Sequence, residues 1–149
     1  TNLKQKQKAN SIITPKTENS RTLKSRCLKR GLKMKITVNA IPPSNNKYMG
    51  NSHNFNAYRR LKEEWHYLIK AAIKNKPDKP VNKAIVTITY YFADARRRDP
   101  DNYSGKMILD PLVREGIIVD DSFDHITLYL TCGGVDKENP RTEIEVEAV

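Results

Sequence analysis

Short segments of strand character recur along the chain from residue 34 onward. They either alternate between apolar and polar positions or are rich in β-branched and aromatic residues, the two patterns typical of strands that pack one face on a core. On these grounds, β-strands are predicted over residues 35–39, 84–93, 126–132 and 142–149. A loop with paired prolines over 41–46 and turns over 96–102 and 133–140 connect them.

Two helices are predicted between these strands. Over residues 56–75, apolar residues recur at steps of three and four, which is the period of an amphipathic helix. A second helix is expected over 103–115, where Gly116 ends it. Because Pro111 lacks the N–H that the helix needs inside this segment, we expect either a kink there or a helix that begins nearer Asp110.

The order of these elements is β-α-β-α-β-β, which predicts one α/β domain built on a mixed sheet with two packed helices. The domain is expected to occupy residues 34–149. A chain of 149 residues has room for one ordinary core and is too short for two.

Positive charge is concentrated at the start of the chain. The sequence has 27 Lys and Arg against 17 Asp and Glu, but ten of those cations and one acid lie in residues 1–33. This segment has few large apolar residues, so it is predicted to be a disordered basic tail. It is interpreted as a DNA-gripping arm, as an artefactual extension before a true start at Met34, or as a solvated tail without a role.

Membrane and export classes are not expected. No apolar run approaches the ~20 residues of a membrane span, and no apolar core of a secretory signal occurs near the start. The two cysteines, Cys27 and Cys132, form neither a metal-ligand spacing nor a disulfide framework. A cytoplasmic location is therefore expected.

Two pairs of aspartates are the informative polar feature. Asp99 and Asp101 follow a predicted strand, and Asp120 and Asp121 follow a helix expected to return the chain to the same edge of the sheet. Two carboxylates ~4 Å apart repel by roughly 4 kcal/mol at an effective dielectric near 20, so a gathered set predicts a cation. Oxygen donors favour Mg²⁺, Mn²⁺ or Ca²⁺. The alternative is that these aspartates only form turns and caps.

Lys106 adds a second kind of group to this pattern. It follows Asp101 by five residues, at the start of the second predicted helix. An ammonium group beside metal-bound carboxylates can hold a phosphate or orient an attacking water, as phosphodiester hydrolysis requires. The alternative is a surface ion pair with Asp110, one helical turn away.

The wider pattern resembles the signature of RusA-type Holliday junction resolvases. The resemblance covers most of residues 34–149 and rests on Arg98-Asp99-Pro100-Asp101-Asn102, Lys106, Asp110-x-Leu112 and Gly116-Ile117-Ile118-Val119-Asp120-Asp121, with Ile41-Pro42-Pro43-Ser44 similar to the family's start. It implies a small homodimeric, Mg²⁺-dependent endonuclease, common in prophages, that cuts four-way DNA junctions symmetrically in recombination and repair.

The resemblance also implies the site residues. The catalytic set is Asp99, Asp101, Asp121 and Lys106, with the metal held by the aspartates, and Asp120 stays an alternative to its neighbour as the third ligand. The chain departs from the family pattern in one respect. Three residues, 103–105, make the interval before the lysine one residue longer than usual, which bears on how Lys106 is oriented.

Further positive and polar residues are candidate contacts to DNA. Arg96, Arg97 and Arg98 precede the first aspartate and are expected to neutralise phosphates that flank the cut. Asn45 and Lys47 are expected to meet the DNA backbone near a junction. The alternatives are a solvated run of charge that balances the acids, and an asparagine-rich turn.

The sequence therefore predicts an endodeoxyribonuclease that resolves four-way junctions with Mg²⁺, for which Mn²⁺ can substitute. A four-way junction has two equivalent strands to cut, so a twofold homodimer is expected, with the strands over 126–132 and 142–149 as candidate interfaces. The competing hypotheses are a non-catalytic DNA-binding module of the same fold and a nuclease for other branched or single-stranded DNA.

Overall fold

A computed structural model describes residues 31–48 and 55–149. Within this part of the chain lie four strands and two α-helices: β1 (Lys33–Val38), α1 (Phe55–Ala72), β2 (Ala84–Phe92), α2 (Lys106–Arg114), β3 (Ile126–Val135) and β4 (Arg141–Ala148). Single 3₁₀ turns occupy Asn45–Lys47 and Pro100–Tyr103. This order confirms the predicted α/β fold, whereas residues 1–30 of the predicted basic tail lie outside the described residues.

The four strands form one mixed sheet in the order β1-β4-β2-β3. β4 runs antiparallel to both of its neighbours, and β2 and β3 run parallel. Two parallel neighbours need a connection that returns to the starting end of the sheet, and α2 provides it. The segments before and after α2 therefore lie toward opposite ends of these two strands.

The hydrophobic core lies between one face of the sheet and the two helices. Every second residue of β2 is buried on this face, in register with Ile144 and Val146 of β4. The helices contribute Trp65, Ile69, Ile108 and Leu112 to the same cluster. No helix in the described residues is both long and apolar enough to cross a membrane.

The second helix begins at Lys106, so the expected start nearer Asp110 is wrong. Pro111 lies inside α2 and is buried. Its missing N–H removes one helical hydrogen bond. Burial of Pro111 and its neighbours Leu109 and Leu112 against the core offsets that loss.

β3 continues beyond its predicted end at Cys132. The pairing with β2 shifts by one residue, so that Cys132 is opposite Tyr90 and Gly134 is opposite Tyr91. Gly133 is the extra residue of this bulge, and a Cβ atom there would lie 2.4 Å from the Tyr91 ring. Gly133 and Gly134, which the sequence predicts as part of a turn, therefore lie within β3 and leave room for the Tyr91 ring.

Candidate active site

The loop after β2 is organised by Arg98. Its guanidinium lies over the Phe92 ring, 4.1 Å from the ring centre, and donates to the Asp94 carboxylate at 2.8 Å. It also donates to the main-chain carbonyls of Asp94 and Arg96, at 3.1 and 2.9 Å. The Arg98 side chain is only 21% exposed. The contacts of Arg98 therefore stabilise the conformation of the loop that precedes Asp99 and Asp101.

Arg96 and Arg97 differ from Arg98 in that their side chains are 85% and 90% exposed. Each makes one ion pair, Arg96 with Asp94 at 3.7 Å and Arg97 with Asp99 at 3.3 Å. Exposed pairs of this kind contribute little to stability and exchange readily for another anion. These two arginines are thus placed to meet an external phosphate.

Asp94 completes the organisation of this loop. The backbone N–H of Arg96 donates to its carboxylate at 2.9 Å. That hydrogen bond, together with the Arg98 guanidinium, holds the pKa of Asp94 below its usual value. A charged Asp94 keeps Arg98 in place down to mildly acidic pH.

Asp99 directly precedes the next 3₁₀ turn and Asp101 lies within it, and we call residues 99–104 the aspartate turn. The Asn102 N–H donates to the Asp99 carbonyl at 3.1 Å, and both aspartates are exposed. Tyr103 packs its ring on Tyr90 and Phe92, with centroids 5.6 and 5.3 Å away. The turn is thereby seated on the core while its two acidic residues stay accessible to solvent.

Two further contacts fix the aspartate turn. The buried Tyr90 hydroxyl donates to the Tyr103 carbonyl at 3.2 Å, and burial raises the pKa of this hydroxyl. From the other side, the Asn45 amide donates to the Asp101 carbonyl and to the Ser104 hydroxyl, both at 3.0 Å. The structure therefore places Asn45, predicted as a DNA contact, against the aspartate turn, with Lys47 exposed two residues later.

Gly105 lies between the aspartate turn and Lys106. This glycine has φ of 78°, and a Cβ atom there would lie 2.8 Å from the Cδ1 atom of Ile88. Only glycine allows both the left-handed backbone and this close approach to the sheet. Gly105 thus ends the aspartate turn and lets α2 begin at Lys106.

Lys106 is exposed at the first position of α2. The alternative of an ion pair with Asp110 is not realised, because Asp110 pairs with Lys62 of α1 instead. Across the described ranges, no carboxylate lies within ion-pair distance of the Lys106 ammonium. No side chain caps the start of α2, and no acid occurs in its first turn.

Asp120 and Asp121 lie near the other end of α2. Ile118 pairs with Val81 just ahead of β2, which places the following residues toward the starting ends of β2 and β3. The expectation that this pair returns to the edge occupied by Asp99 and Asp101 is therefore wrong. The physical reason is the parallel pairing of β2 and β3, which requires the crossover to run back along the strands.

The two neighbours of this second pair have different surroundings. A hydrogen bond from the Ser122 hydroxyl holds the pKa of Asp120 below its usual value, helped by the Asp121 backbone N–H and by His125. His125 lies 3.7 Å from the Asp120 carboxylate and 2.9 Å from the Ser122 hydroxyl. Asp120 is thus engaged in the structure of its own loop.

Asp121 instead faces a groove of about 450 Å³ along α1 and α2. The groove is lined mainly by charged side chains of both signs, namely Arg59, Lys62, Glu63, Asp110, Arg114 and Asp121. The cations Arg59 and Lys62 of this groove lie on α1. Their proximity to Asp121 depends on how α1 and α2 pack against each other. The spacing of residues along the sequence does not predict this packing.

The donors suit a hard cation, but they do not form a complete cage. Among residues 31–48 and 55–149, which include all four predicted aspartates, no three His, Cys, Asp or Glu side chains lie close enough to hold a metal ion. Mg²⁺ commonly takes one or two protein carboxylates and completes its shell with water and substrate phosphates. Asp99 and Asp101 on one short turn fit that mode.

Comparison with known proteins agrees with this reading. The family model for endodeoxyribonuclease RusA matches residues 38–147, which contain both aspartate pairs and Lys106. No curated protein matches the chain in a sequence comparison.

Proposed function

The chain belongs to the RusA family of endodeoxyribonucleases, which are Holliday junction resolvases, and we propose that it cuts four-way junctions by Mg²⁺-dependent phosphodiester hydrolysis at residues 99–106. Family membership itself makes the chain an endonuclease of the kind that acts on junction DNA. The observation that carries the finer proposal is the aspartate turn, which exposes two acids shortly before Lys106, a lysine without an ion pair among the residues that the structure describes.

Lys106 is proposed to hold the phosphate that is cut. Lys106 is the first residue of α2, whose N-terminal N–H groups have no side-chain cap, and both the ammonium and these N–H groups attract an anion. Negative charge that develops on the phosphate oxygens is stabilised by a cation already in position. The lysine therefore assists both binding and the transition state.

Asp99 and Asp101 are proposed as the residues that would hold the metal. When bound there, Mg²⁺ supplies Lewis acidity toward a phosphate oxygen and lowers the pKa of a coordinated water. The aspartate turn contributes a fixed backbone, held by Tyr90 and Asn45, so the carboxylates need little rearrangement. Mn²⁺ is proposed as a substitute because it accepts the same oxygen donors.

Of the second pair, Asp121 is proposed, in preference to Asp120, as the acid that assists cleavage from the groove, apart from the metal held by Asp99 and Asp101. The Asp120 carboxylate already accepts hydrogen bonds within its own loop, whereas Asp121 borders an open groove. In that groove, Arg59 and Arg114 offer positive charge for a DNA strand that passes along α1. The exposed Arg96 and Arg97 are proposed to contact phosphates at the other end of the site.

A twofold dimer is proposed because the substrate has two equivalent strands to cut. Of the two candidate interface strands, β4 is paired on both edges, while β3 has a neighbour in the sheet on one edge alone. The sheet face opposite the helices is charged at Lys35 and Glu143 and uncharged along Thr87, Thr89 and Tyr129. The β2–β3 half of that face is therefore the better candidate for a second copy.

The dimer proposal is tested by sedimentation at micromolar concentration. The wild-type chain should sediment as a species of twice 17.1 kDa. Tyr129→Lys should shift it to a monomer, while Lys35→Ala on the charged half should leave it a dimer. A wild-type monomer that still makes paired cuts would contradict the proposal.

Junction cleavage is tested with labelled four-way, three-way, linear duplex and single-stranded DNA, each with Mg²⁺ and with EDTA. We expect paired, symmetric cuts in the four-way junction with Mg²⁺ and no cuts with EDTA. Binding without cleavage in Mg²⁺ and in Mn²⁺ would indicate a DNA-binding module. Preferential cleavage of another structure would assign the same chemistry to a different substrate.

A further inference from the structure

We propose that Asn45 is a positioning residue for the cleavage site, a role that rests on the function proposed above. Its amide nitrogen donates to the Asp101 carbonyl and to the Ser104 hydroxyl, which lie 56 and 59 residues away in sequence. Both acceptors belong to the aspartate turn. Asn45 therefore sets the direction in which the Asp101 carboxylate leaves the backbone.

The chemistry of the acceptors fixes the orientation of the Asn45 amide. A main-chain carbonyl can accept a hydrogen bond and cannot donate one, so the NH₂ group must face Asp101. The same NH₂ group carries the second proton, which the Ser104 hydroxyl accepts. An aspartate in place of Asn45 would offer no donor to the Asp101 carbonyl and would add a negative charge beside the acids.

We call the two hydrogen bonds from the Asn45 amide to the aspartate turn the brace. They can hold the turn in place because the segment that carries Asn45 is itself fixed to the sheet. The buried Thr142 hydroxyl donates to the Ala40 carbonyl at 2.7 Å, just beyond the end of β1. Pro42 is buried and stiffens the next residues. The Lys47 N–H then donates to the Ser44 carbonyl and closes the 3₁₀ turn that begins at Asn45. The brace thus links the sheet to the aspartate turn.

Loss of this brace should weaken metal use more than DNA binding. Groups that orient metal ligands typically contribute 10–100-fold to metal affinity or activity without touching the metal. The Asn45 amide is engaged with the protein, whereas Arg96 and Arg97 are exposed to meet phosphate. The effect should therefore appear in the Mg²⁺ dependence of cleavage and not in the affinity for the junction.

The test measures single-turnover cleavage of a four-way junction over a range of Mg²⁺ concentrations. For Asn45→Ala we expect the half-saturating Mg²⁺ concentration to rise ~10-fold, with junction affinity unchanged in EDTA. The control is Asn46→Ala, because this exposed neighbour makes no hydrogen bond to residues 99–104. Unchanged Mg²⁺ dependence in Asn45→Ala would overturn the proposal, even if its thermal midpoint falls.

Ser104→Ala provides a second route that leaves Asn45 intact. It removes one of the two acceptors, so we expect a smaller shift in the same direction, while Ser104→Thr should keep the hydroxyl and restore the wild-type value. The double variant Asn45→Ala/Ser104→Ala should need no more Mg²⁺ than Asn45→Ala, because the hydrogen bond that Ser104→Ala removes is already lost in Asn45→Ala. Additive losses would contradict the brace. A wild-type protein without Mg²⁺-dependent cleavage would instead refute the proposed function.

Discussion

Residues 99–101 and residues 120–121 each carry two aspartates, and α2 separates the two pairs. In the first pair the turn is held by hydrogen bonds to the backbone, since the Asp99 and Asp101 carbonyls are both acceptors, and the Asp99 carboxylate makes an exposed ion pair with Arg97 at 3.3 Å. In the second pair the Asp120 side chain itself is hydrogen-bonded, and Asp121 alone faces a groove. The first turn therefore does not depend on its carboxylates, which stay exposed, whereas the Asp120 carboxylate takes part in the structure of its own loop.

The largest effect is expected from the first pair. Asp101→Asn removes a charged oxygen donor from a turn that is otherwise unchanged, and should reduce cleavage by about 10³-fold, the size expected when metal assistance is lost. Junction affinity and thermal midpoint should stay near wild type, because Asp101 is exposed.

Quenched-flow or gel measurements of the single-turnover rate check this expectation, with Asp78→Asn as the matched control. Asp78 is exposed and lies outside the aspartate turn and the groove. A near-normal rate for Asp101→Asn would remove the first pair from the chemistry.

A smaller and unequal effect is expected within the second pair. Asp121→Asn should slow cleavage by ~10–100-fold at unchanged stability, a loss typical of an orienting group that does not touch the metal. Asp120→Asn should affect the loop instead. Equal rate losses in the two variants would show that the Asp120 hydrogen bonds do not separate their roles.

The pH dependence of Asp120 has a definite sign. Its pKa is lower in the folded than in the unfolded chain, so its contribution to stability is present above about pH 4, the unfolded value, and is lost as pH falls through the folded value. Thermal midpoints of wild type and Asp120→Asn should therefore differ at neutral pH and converge in acid. A difference that persists below pH 2 would contradict the hydrogen-bonded carboxylate.

The arginines that precede the first pair should also differ in role, with Arg98 affecting stability and Arg97 affecting DNA binding. Arg98→Ala loses the contact with Phe92 and the loop hydrogen bonds, and should lower the free energy of unfolding by about 1–3 kcal/mol. Arg97→Ala should leave stability unchanged and make the salt dependence of junction binding shallower by about one unit of slope. Urea denaturation and binding titrations at several salt concentrations measure the two effects.

Much of the fold was predictable because each element has a local pattern. Alternation along β4 and the three-to-four spacing in α1 follow directly from which face is buried. The end of β3 was not predictable, because Gly133 and Gly134 read as a turn unless the Tyr91 ring that they pass is known. The start of α2 depends likewise on Gly105 against Ile88.

The composition of the site was accessible from sequence, and its arrangement was not. The spacing of Asp99, Asp101 and Lys106 pointed to metal-assisted phosphodiester chemistry. Parallel pairing of β2 and β3, which decides where Asp121 lies, is a long-range property without a sequence signal. The hydrogen bonds of Asn45 to the aspartate turn also join segments far apart in the chain.

The most direct test of the account is to locate the metal by cleavage of the polypeptide. Fe²⁺ can replace Mg²⁺ at a site of oxygen donors, and with ascorbate and peroxide it breaks the backbone near the ion. In the complex with a four-way junction, we predict breaks within residues 99–106, which are suppressed by excess Mg²⁺ and absent in Asp101→Asn. Breaks confined to other acids, such as Asp136 and Glu143 beside Arg141, would contradict a metal site on the aspartate turn.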